Sequence, residues 1–388
     1  MPEAVIVDSV RTPIGRAFKG SLAQVRPDET GAFIVDQLLE RNPDVDPALV
    51  EEVITGCGMP QGKQAFNIGR LIALLSKKLP LETNGLTVSR YCASGLEAIR
   101  IASNNIKAGQ GEAYIASGVE FVSQFNERTE AAGAADQNEH LKGAAEGEPD
   151  VYIQMGDTAV NVAKRYDVKR SEMDEYAQRS QELAVASQES GFFDREIAPV
   201  TLEDGTVVSK DDGPRASSTL EKLSQLPDAF EGGGGVTAGN SCPLNDGAAA
   251  ALIMSDIKAK ELGLKPRARI ITAATAANEP EYMGVAPIWA IGKVLKRAGM
   301  SIADVDTVEL NEAFAAQVIP IMAECDIPLE KMNPHGGAIA LGHPFGMTGV
   351  RIMTTLLNGL ETDDKTIGLE TMCVAGGQGQ AMIVERLS

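Results

Sequence analysis

The sequence predicts an α/β protein made of one duplicated α/β unit with an insertion, and three observations predict it. Short apolar runs alternate with helical stretches over residues 1 to about 121. The alternation lapses from about 122 to 243 and resumes from about 244. The last stretch repeats the first in order, if weakly in identity. Apolar residues make up 44% and aromatics only 4%, with 39 glycines, which suits helices lying close on sheets.

The elements follow in order. Val5–Val10 reads as a strand. Thr30–Arg41 reads as a helix, because Ala32, Phe33, Val35, Leu38 and Leu39 fall close to one face. Val53–Gly56 is a strand, Asn67–Ser76 a helix, Leu86–Ser89 a strand, Ser94–Ala108 a helix and Ala113–Ser117 a strand. Strand-then-helix alternation predicts a mostly parallel sheet. Glu127–Pro149 is polar and shows little apolar period. Thr158–Arg165 and Ser171–Ser190 read as helices inside the insertion, and Gly232–Gly235 as a flexible stretch without a phosphate-loop pattern. In the last part Val305–Asn311 echoes Val50–Gly56. Met332–His335 and a helix from about Thr348 to Leu360 echo the strand and helix around Cys92. The segment around Cys373–Gly377 echoes Tyr114–Glu120. The division expected is 1–121 plus 244–269, an insertion over 122–243, and 270–388.

The formal charge of −19 disfavours nucleic acid and anionic membrane, which need a basic footprint. It leaves room for an anionic small molecule bound at a local basic patch. Five cysteines without CxxC spacing argue against a disulfide framework and a zinc site. Three histidines make a His-rich metal cluster unexpected. No apolar run nears the roughly 20 residues of a bilayer span. Met1–Asp8 reads as a first strand rather than a signal peptide, so the cytoplasm is the expected location.

Three side chains carry the chemistry, each read as lying at the end of a strand. Cys92 closes an apolar run and opens a helix. Unpaired N–H groups and the positive end of the helix dipole there favour thiolate and are placed to hold an oxyanion. The other reading of Cys92 is a small buried residue, and local context leaves both open. His343 lies between Gly342 and Pro344, which fix the backbone on both sides and suit a proton-transfer group. Cys373 enters the turn Val374–Ala375–Gly376–Gly377. Asn311, in Asn311–Glu312–Ala313–Phe314, reads either as an oxyanion donor or as a helix cap. Thr237–Gly247 suits a ligand channel or a turn, and Cys57 and Cys325 read as structural.

Taken together, Ser89–Ala98, Asn311–Phe314, Gly342–Pro344 and Cys373–Gly377 resemble the four motifs of the thiolase family, in the family's order and over nearly the whole chain. The resemblance implies a five-layered αβαβα fold with an inserted loop domain that binds coenzyme A. It implies that Cys92 carries the acyl group, that His343 takes the Cys92 proton, and that Cys373 is the acid/base at the α-carbon of acetyl-CoA. Asn311, through a water, and His343 would face the enolate oxygen. The N–H groups of Cys92 and Ala375 would face the acyl oxygen. Arg215, Lys222, Ala238, Cys242, Met155 and Phe314 would bind the substrate. The activity implied is reversible thiolysis of 3-ketoacyl-CoA, with coenzyme A as substrate and no metal or redox cofactor. A homodimer is implied; a tetramer is left open because Glu127–Pro149 departs from the family's loop.

Three further departures stand out: Gln154 where some members place histidine, Cys242 where the pattern has serine, and Ala375 for the first glycine of the last motif. The missing histidine points away from a short-chain, acetoacetyl-CoA-forming enzyme, which stays the nearest alternative. A carrier-protein ketosynthase would replace Asn311 and Cys373 by histidines. A thioesterase would not need Cys373. An inactive coenzyme A-binding scaffold would take no acetyl group on Cys92.

Overall fold

The structure, a computed structural model, describes residues 2–125, 137–143 and 145–388. The first part of the polar Glu127–Pro149 stretch therefore lies outside the described residues.

Alternating apolar residues set the layers. In β1 (Ala4–Arg11), β3 (Val50–Gly56), β4 (Asn84–Val88), β5 (Ala113–Phe121) and β8 (Asn245–Ser255) successive side chains face opposite sides. Thus Ala248, Ala250, Leu252 and Met254 join one core, while Ala249, Ala251 and Ile253 join another. The first core is covered by α1 (Pro27–Arg41) and α2 (Ile68–Leu75). The second is filled by α3 (Ser94–Lys107) and a C-terminal helix, Phe345–Thr362. On its far side lie Met372, Val374, Met382 and Val384 of β11 (Ile367–Val374) and β12 (Gln378–Arg386). The alternate residues Cys373, Ala381 and Ile383 face a third core, closed by Pro287–Ala298 and Ala315–Glu324. Helix, sheet, helix, sheet, helix: the five layers follow from which face each apolar residue takes.

The halves repeat one strand order. The first runs β4-β3-β5-β8-β1. The second runs β10 (Thr307–Leu310), β11, β12, β9 (Ala268–Ala277), and Met332 bridges in parallel to Val308 where β4 pairs with β3 in the first half. The sheets meet where Val5 and Ile6 pair with Arg269 and Ala268. The expectation of a mostly parallel sheet needs correction. β3–β4, β3–β5 and β10–β11 are parallel, but β1–β8, β5–β8, β9–β12 and β11–β12 are antiparallel. β11 and β12 form a hairpin, and β8 returns antiparallel to β5 only after the whole insertion, so alternation in the first few elements did not reveal either pairing.

Between β5 and β8 lie α4 (Met155–Arg165), α5 (Arg170–Glu189), the small pair β6 (Val200–Thr201) and β7 (Val207–Val208), and α6 (Leu220–Ser224). A two-residue strand, β2 (Gly15–Arg16), pairs with the start of β8. After β8 come α7 (Asp256–Glu261), α8 (Pro287–Ala298), α9 (Ala315–Glu324), α10 (Ala338–Leu341) and α11 (Phe345–Thr362). Among the described residues no helix is long and apolar enough to cross a membrane.

The α11 N-terminus belongs to the second half yet docks on the first. The carboxylate of Glu120, at the end of β5, accepts from Gly346 N at 2.8 Å and from Gly58 N at 2.7 Å. A side chain at 346 would meet Val119 O at 2.4 Å. This glycine contact brings the loop before α11 to the edge of the first half, where Cys92 lies.

Candidate active site

β4 ends at Val88, and a tight 3₁₀ turn, Tyr91–Ala93, leads directly into α3. Tyr91 takes a left-handed φ of 43°, uncommon for a residue with a bulky side chain. Ser94 stabilises the turn: its hydroxyl donates to Tyr91 O at 2.6 Å and accepts from Arg90 N at 2.9 Å. The turn tips Cys92 inward, where it is buried. The N–H groups of Ala375 and of Cys92 itself point at its sulfur. They do not outweigh their surroundings. Burial, and then the neighbouring thiols of Cys373 and Cys242, push the Cys92 thiol well above its ordinary range. This corrects the expectation of a standing thiolate. The helix end is present, but among the described residues no cation acts on the sulfur to offset desolvation.

His343 lies in the turn between α10 and α11, not at a strand end as the sequence suggested. Gly342 has φ 111°, and a Cβ there would strike the Asn245 carboxamide. That carboxamide accepts from His343 N at 2.9 Å and donates to Gly15 O at 3.0 Å, pinning the histidine backbone to the first half. The ring is held by Thr348. The Thr348 hydroxyl donates its one proton to Pro344 O at 2.8 Å. It must therefore accept from His343 Nδ1–H, 2.6 Å away. Nε2 is left unprotonated, as an acceptor. Burial, and secondarily the charge of Arg351, lower the His343 pKa to about 3, so the ring is neutral at physiological pH. The site thus holds a thiol and a ready base rather than an ion pair.

β10 and β11 are parallel neighbours, so the residues after them emerge side by side: Asn311 N donates to Thr371 O at 3.0 Å. Asn311 is not a helix cap, since Phe314 caps α9. Its Nδ2 lies 3.3 Å from His343 Nε2, and its buried Oδ1 has no partner among the described residues. Cys373 is fully buried and touches the Gln317 carboxamide, whose Nε2 donates to Sγ at 3.2 Å. Burial pushes this thiol up to about 11, against that hydrogen bond. Gly376 and Gly377, at φ 79° and 74°, make the turn beyond it. Ala375 is not among the left-handed residues, so the departure at 375 carries no backbone strain and keeps its N–H.

A cavity of about 300 Å³ is lined in part by Arg215, Lys222, Ala238 and Ser241, and none of Cys92, Asn311, His343 and Cys373 is in its wall. Three of the expected coenzyme A contacts are thus together. Arg16 and Gln181 line it as well and were not foreseen. Cys242 does not line it, although Ser241 and Pro243 on either side do. Its thiol lies toward Cys373 and Glu312, and burial pushes it up to about 12. Met155 and Phe314 also lie off this cavity, packed with Phe230 in the third core. The Phe230 and Phe314 rings meet edge to face at 6.2 Å. Gln154 is exposed at the α4 N-terminus.

Four supporting residues escaped the sequence reading: Thr348, Asn245, Gln317 and Glu312. Thr348 left a local signal, five residues after His343 at the start of a helix; Glu312 and Asn245 lie inside stretches the sequence singled out, but nothing local names their partners. The buried Glu312 carboxylate accepts from Tyr176 Oη, Ser180 Oγ, Asn333 Nδ2 and Ile339 N at 2.6–3.1 Å, tying α5 to the second half.

Family comparison agrees with this geometry. The description "Thiolase, N-terminal domain" matches residues 4–257, and "Thiolase, C-terminal domain" matches 264–386. The chain belongs to the thiolase family. Among curated thiolases, a beta-ketoadipyl-CoA thiolase of Acinetobacter baylyi is 42% identical over 403 residues, covering all of both chains. A 3-ketoacyl-CoA thiolase of Bacillus subtilis is 41% identical, covering 99% of this chain and 100% of its own. The crystal structure of the Bacillus anthracis acetyl-CoA acetyltransferase superposes with a TM-score of 0.90 at 38% identity, covering 100% of this chain and 99% of the other. The thiolase motifs read from the sequence therefore sit in a thiolase fold.

Proposed function

We propose that the protein is an acyltransferase that cleaves 3-ketoacyl-CoA with coenzyme A, reversibly, through an acyl group held on Cys92. The observation that carries the reading is the meeting of Cys92 with the Ala375 N–H and Cys373, together with a neutral His343 whose Nε2 lies 3.3 Å from Asn311 Nδ2.

In this reading His343 Nε2 takes the Cys92 proton as the sulfur attacks the keto carbon of the substrate. The N–H groups of Cys92 and Ala375 hold the oxyanion that forms there. The bond between the keto carbon and the α-carbon then breaks, leaving the acyl group on Cys92 and an acetyl-CoA enolate. Asn311 and His343 face the enolate oxygen, and the Cys373 thiol protonates the α-carbon. A second coenzyme A gives its thiol proton to the Cys373 thiolate and attacks the acyl-Cys92 thioester; the Cys92 sulfur leaves and takes its proton back from His343, and the shortened acyl-CoA is released. Two half-reactions share one nucleophile, so the kinetics are ping-pong. Coenzyme A enters as substrate, and no step calls on a metal or redox group. Arg215, Lys222 and Ala238 hold its nucleotide end. The 3-ketoacyl thioester named for the curated relatives is the substrate class; Gln154 in place of histidine favours it over acetoacetyl-CoA synthesis.

The working form in this proposal is a homodimer joined at β4. Among the described residues that strand pairs with β3 on one side only, and Leu81, three residues before it, is 71% exposed. The deciding experiment is a coenzyme A-dependent thiolysis assay over 3-ketoacyl-CoAs of increasing length, with mass spectrometry of the intact protein. Turnover with an acyl adduct on Cys92 supports the proposal. No turnover at any length and no adduct would leave a coenzyme A-binding scaffold.

A further inference from the structure

The cavity lined by Ser241 and Pro243, on either side of Cys242, contains a charge arrangement that catalysis does not use. Arg16, Arg215 and Lys222 line it, and no carboxylate does, although the chain carries a net charge of −19. Among the described residues none of the three is in an ion pair. Arg16 and Arg215 are also held side by side by design of the backbone. Ile14 N donates to Asp211 Oδ1 at 2.7 Å, Asp212 N donates to Ile14 O at 3.0 Å, and Arg16 N donates to Asp212 Oδ2 at 2.9 Å. Arg11 anchors this pairing through a buried bidentate contact with Asp211. Gln181 Oε1 accepts from Arg215 N at 2.8 Å and fixes the other side.

Resting on the coenzyme A reading above, we infer that Arg16 and Arg215 together grip the 3′-phosphomonoester of coenzyme A, and that Arg16 is the residue that tells coenzyme A from its dephospho form. Arg16 and Arg215 have fixed backbones, and their guanidiniums, close enough to interact and without a counter-ion, repel; partial burial and then Arg16 lower the Arg215 pKa. A partner that relieves this needs more than one charge on one centre. The two phosphoryl groups of a pyrophosphate diester carry about one charge each. A phosphomonoester carries roughly −1.5 to −2 near neutral pH, with three strong acceptor oxygens. It also matches the planar fork of arginine, which binds such groups bidentately. Lys222, a point charge on α6, is left for the pyrophosphate.

The test is steady-state thiolysis with coenzyme A or 3′-dephospho-coenzyme A as the thiol, in wild type and Arg16→Gln. Wild type is expected to show a KM about tenfold or more lower for coenzyme A, the size of one charge-assisted contact. Arg16→Gln is expected to raise that KM to near the dephospho value, leaving kcat and the dephospho KM unchanged. Equal use of both thiols by wild type overturns the inference, as does a discrimination ratio that survives Arg16→Gln. A variant that loses kcat with both thiols also overturns it, because Arg16 pairs with Asn245, which holds His343, and the loss then reports that support. No thiolysis with either thiol refutes the acyl-transfer reading itself.

Discussion

His343 Nε2 lies 3.3 Å from Asn311 Nδ2, and the two reach that point from different directions. Asn311 is delivered by the end of β10, His343 by a turn pinned to the first half through Asn245. The pair has a donor and a lone pair facing one small volume, so the tautomer of the ring decides what the site does.

That tautomer depends on Thr348. Replacing it with valine removes the one acceptor that Nδ1–H has among the described residues and frees the ring to protonate Nε2. Thr348→Val is expected to lower kcat by about 10²-fold, within the usual range for a general base, with KM little changed. Thr348→Ser, which keeps the hydroxyl, is expected to restore most of it. Steady-state kinetics and the ¹⁵N shifts of the His343 ring check both; a fully active valine variant with unaltered shifts would sink the assignment.

Cys92 is expected to react with iodoacetamide slowly at pH 7 and faster as pH rises beyond the ordinary thiol range, because burial raises its pKa. Acylation by acetyl-CoA should still proceed at pH 7, since His343 accepts the proton during attack. Parallel rates from pH 6 to 10 measure this. A plateau in alkylation near pH 7 would mean a resting thiolate.

The two cysteines should separate by half-reaction. Cys373→Ala is expected to accept acetyl from acetyl-CoA on Cys92, seen as a mass adduct, yet fail in thiolysis of 3-ketoacyl-CoA. Cys92→Ser should fail in both, because a hydroxyl is far less ionised than a thiol near neutral pH. Full thiolysis by Cys373→Ala would point to a different acid.

Acid should weaken the fold partly through His343. In the native state its pKa is about 3; in the unfolded chain it is near 6.5. Between these values the unfolded chain binds the extra proton, so stability falls as pH falls from about 6.5 toward 3. Urea unfolding at pH 7 and pH 4.5 should show a smaller loss for His343→Gln than for wild type.

Glu312→Ala leaves four buried donors facing a cavity and is expected to cost about 3 kcal/mol or more. It should also raise the coenzyme A KM, because α5 carries both Ser180, which Glu312 holds, and Gln181, which holds Arg215. Thermal unfolding and thiolysis kinetics test the two effects together; a stable variant with a normal KM would separate α5 from the nucleotide site.

The sequence by itself determined the two-half α/β plan and singled out Cys92, Asn311, His343 and Cys373 as the candidate site residues. Both were legible because they are local: apolar period reports which face of an element is buried, and each motif keeps its chemistry within a few residues. Tertiary structure decided the rest. Whether strands run parallel depends on which strand lies beside which, and β8 reaches its place between β1 and β5 only after more than a hundred intervening residues. The same holds for charge. A helix start predicts an acidic thiol, but the packing of two halves and two more cysteines around Cys92 removes the water that a thiolate needs, and reverses the sign. Thr348, Asn245, Gln317 and Arg16 act through partners far off in the chain or through a turn whose shape is set elsewhere. No single stretch of sequence records such contacts, because desolvation and hydrogen-bond partnership belong to neighbours in space.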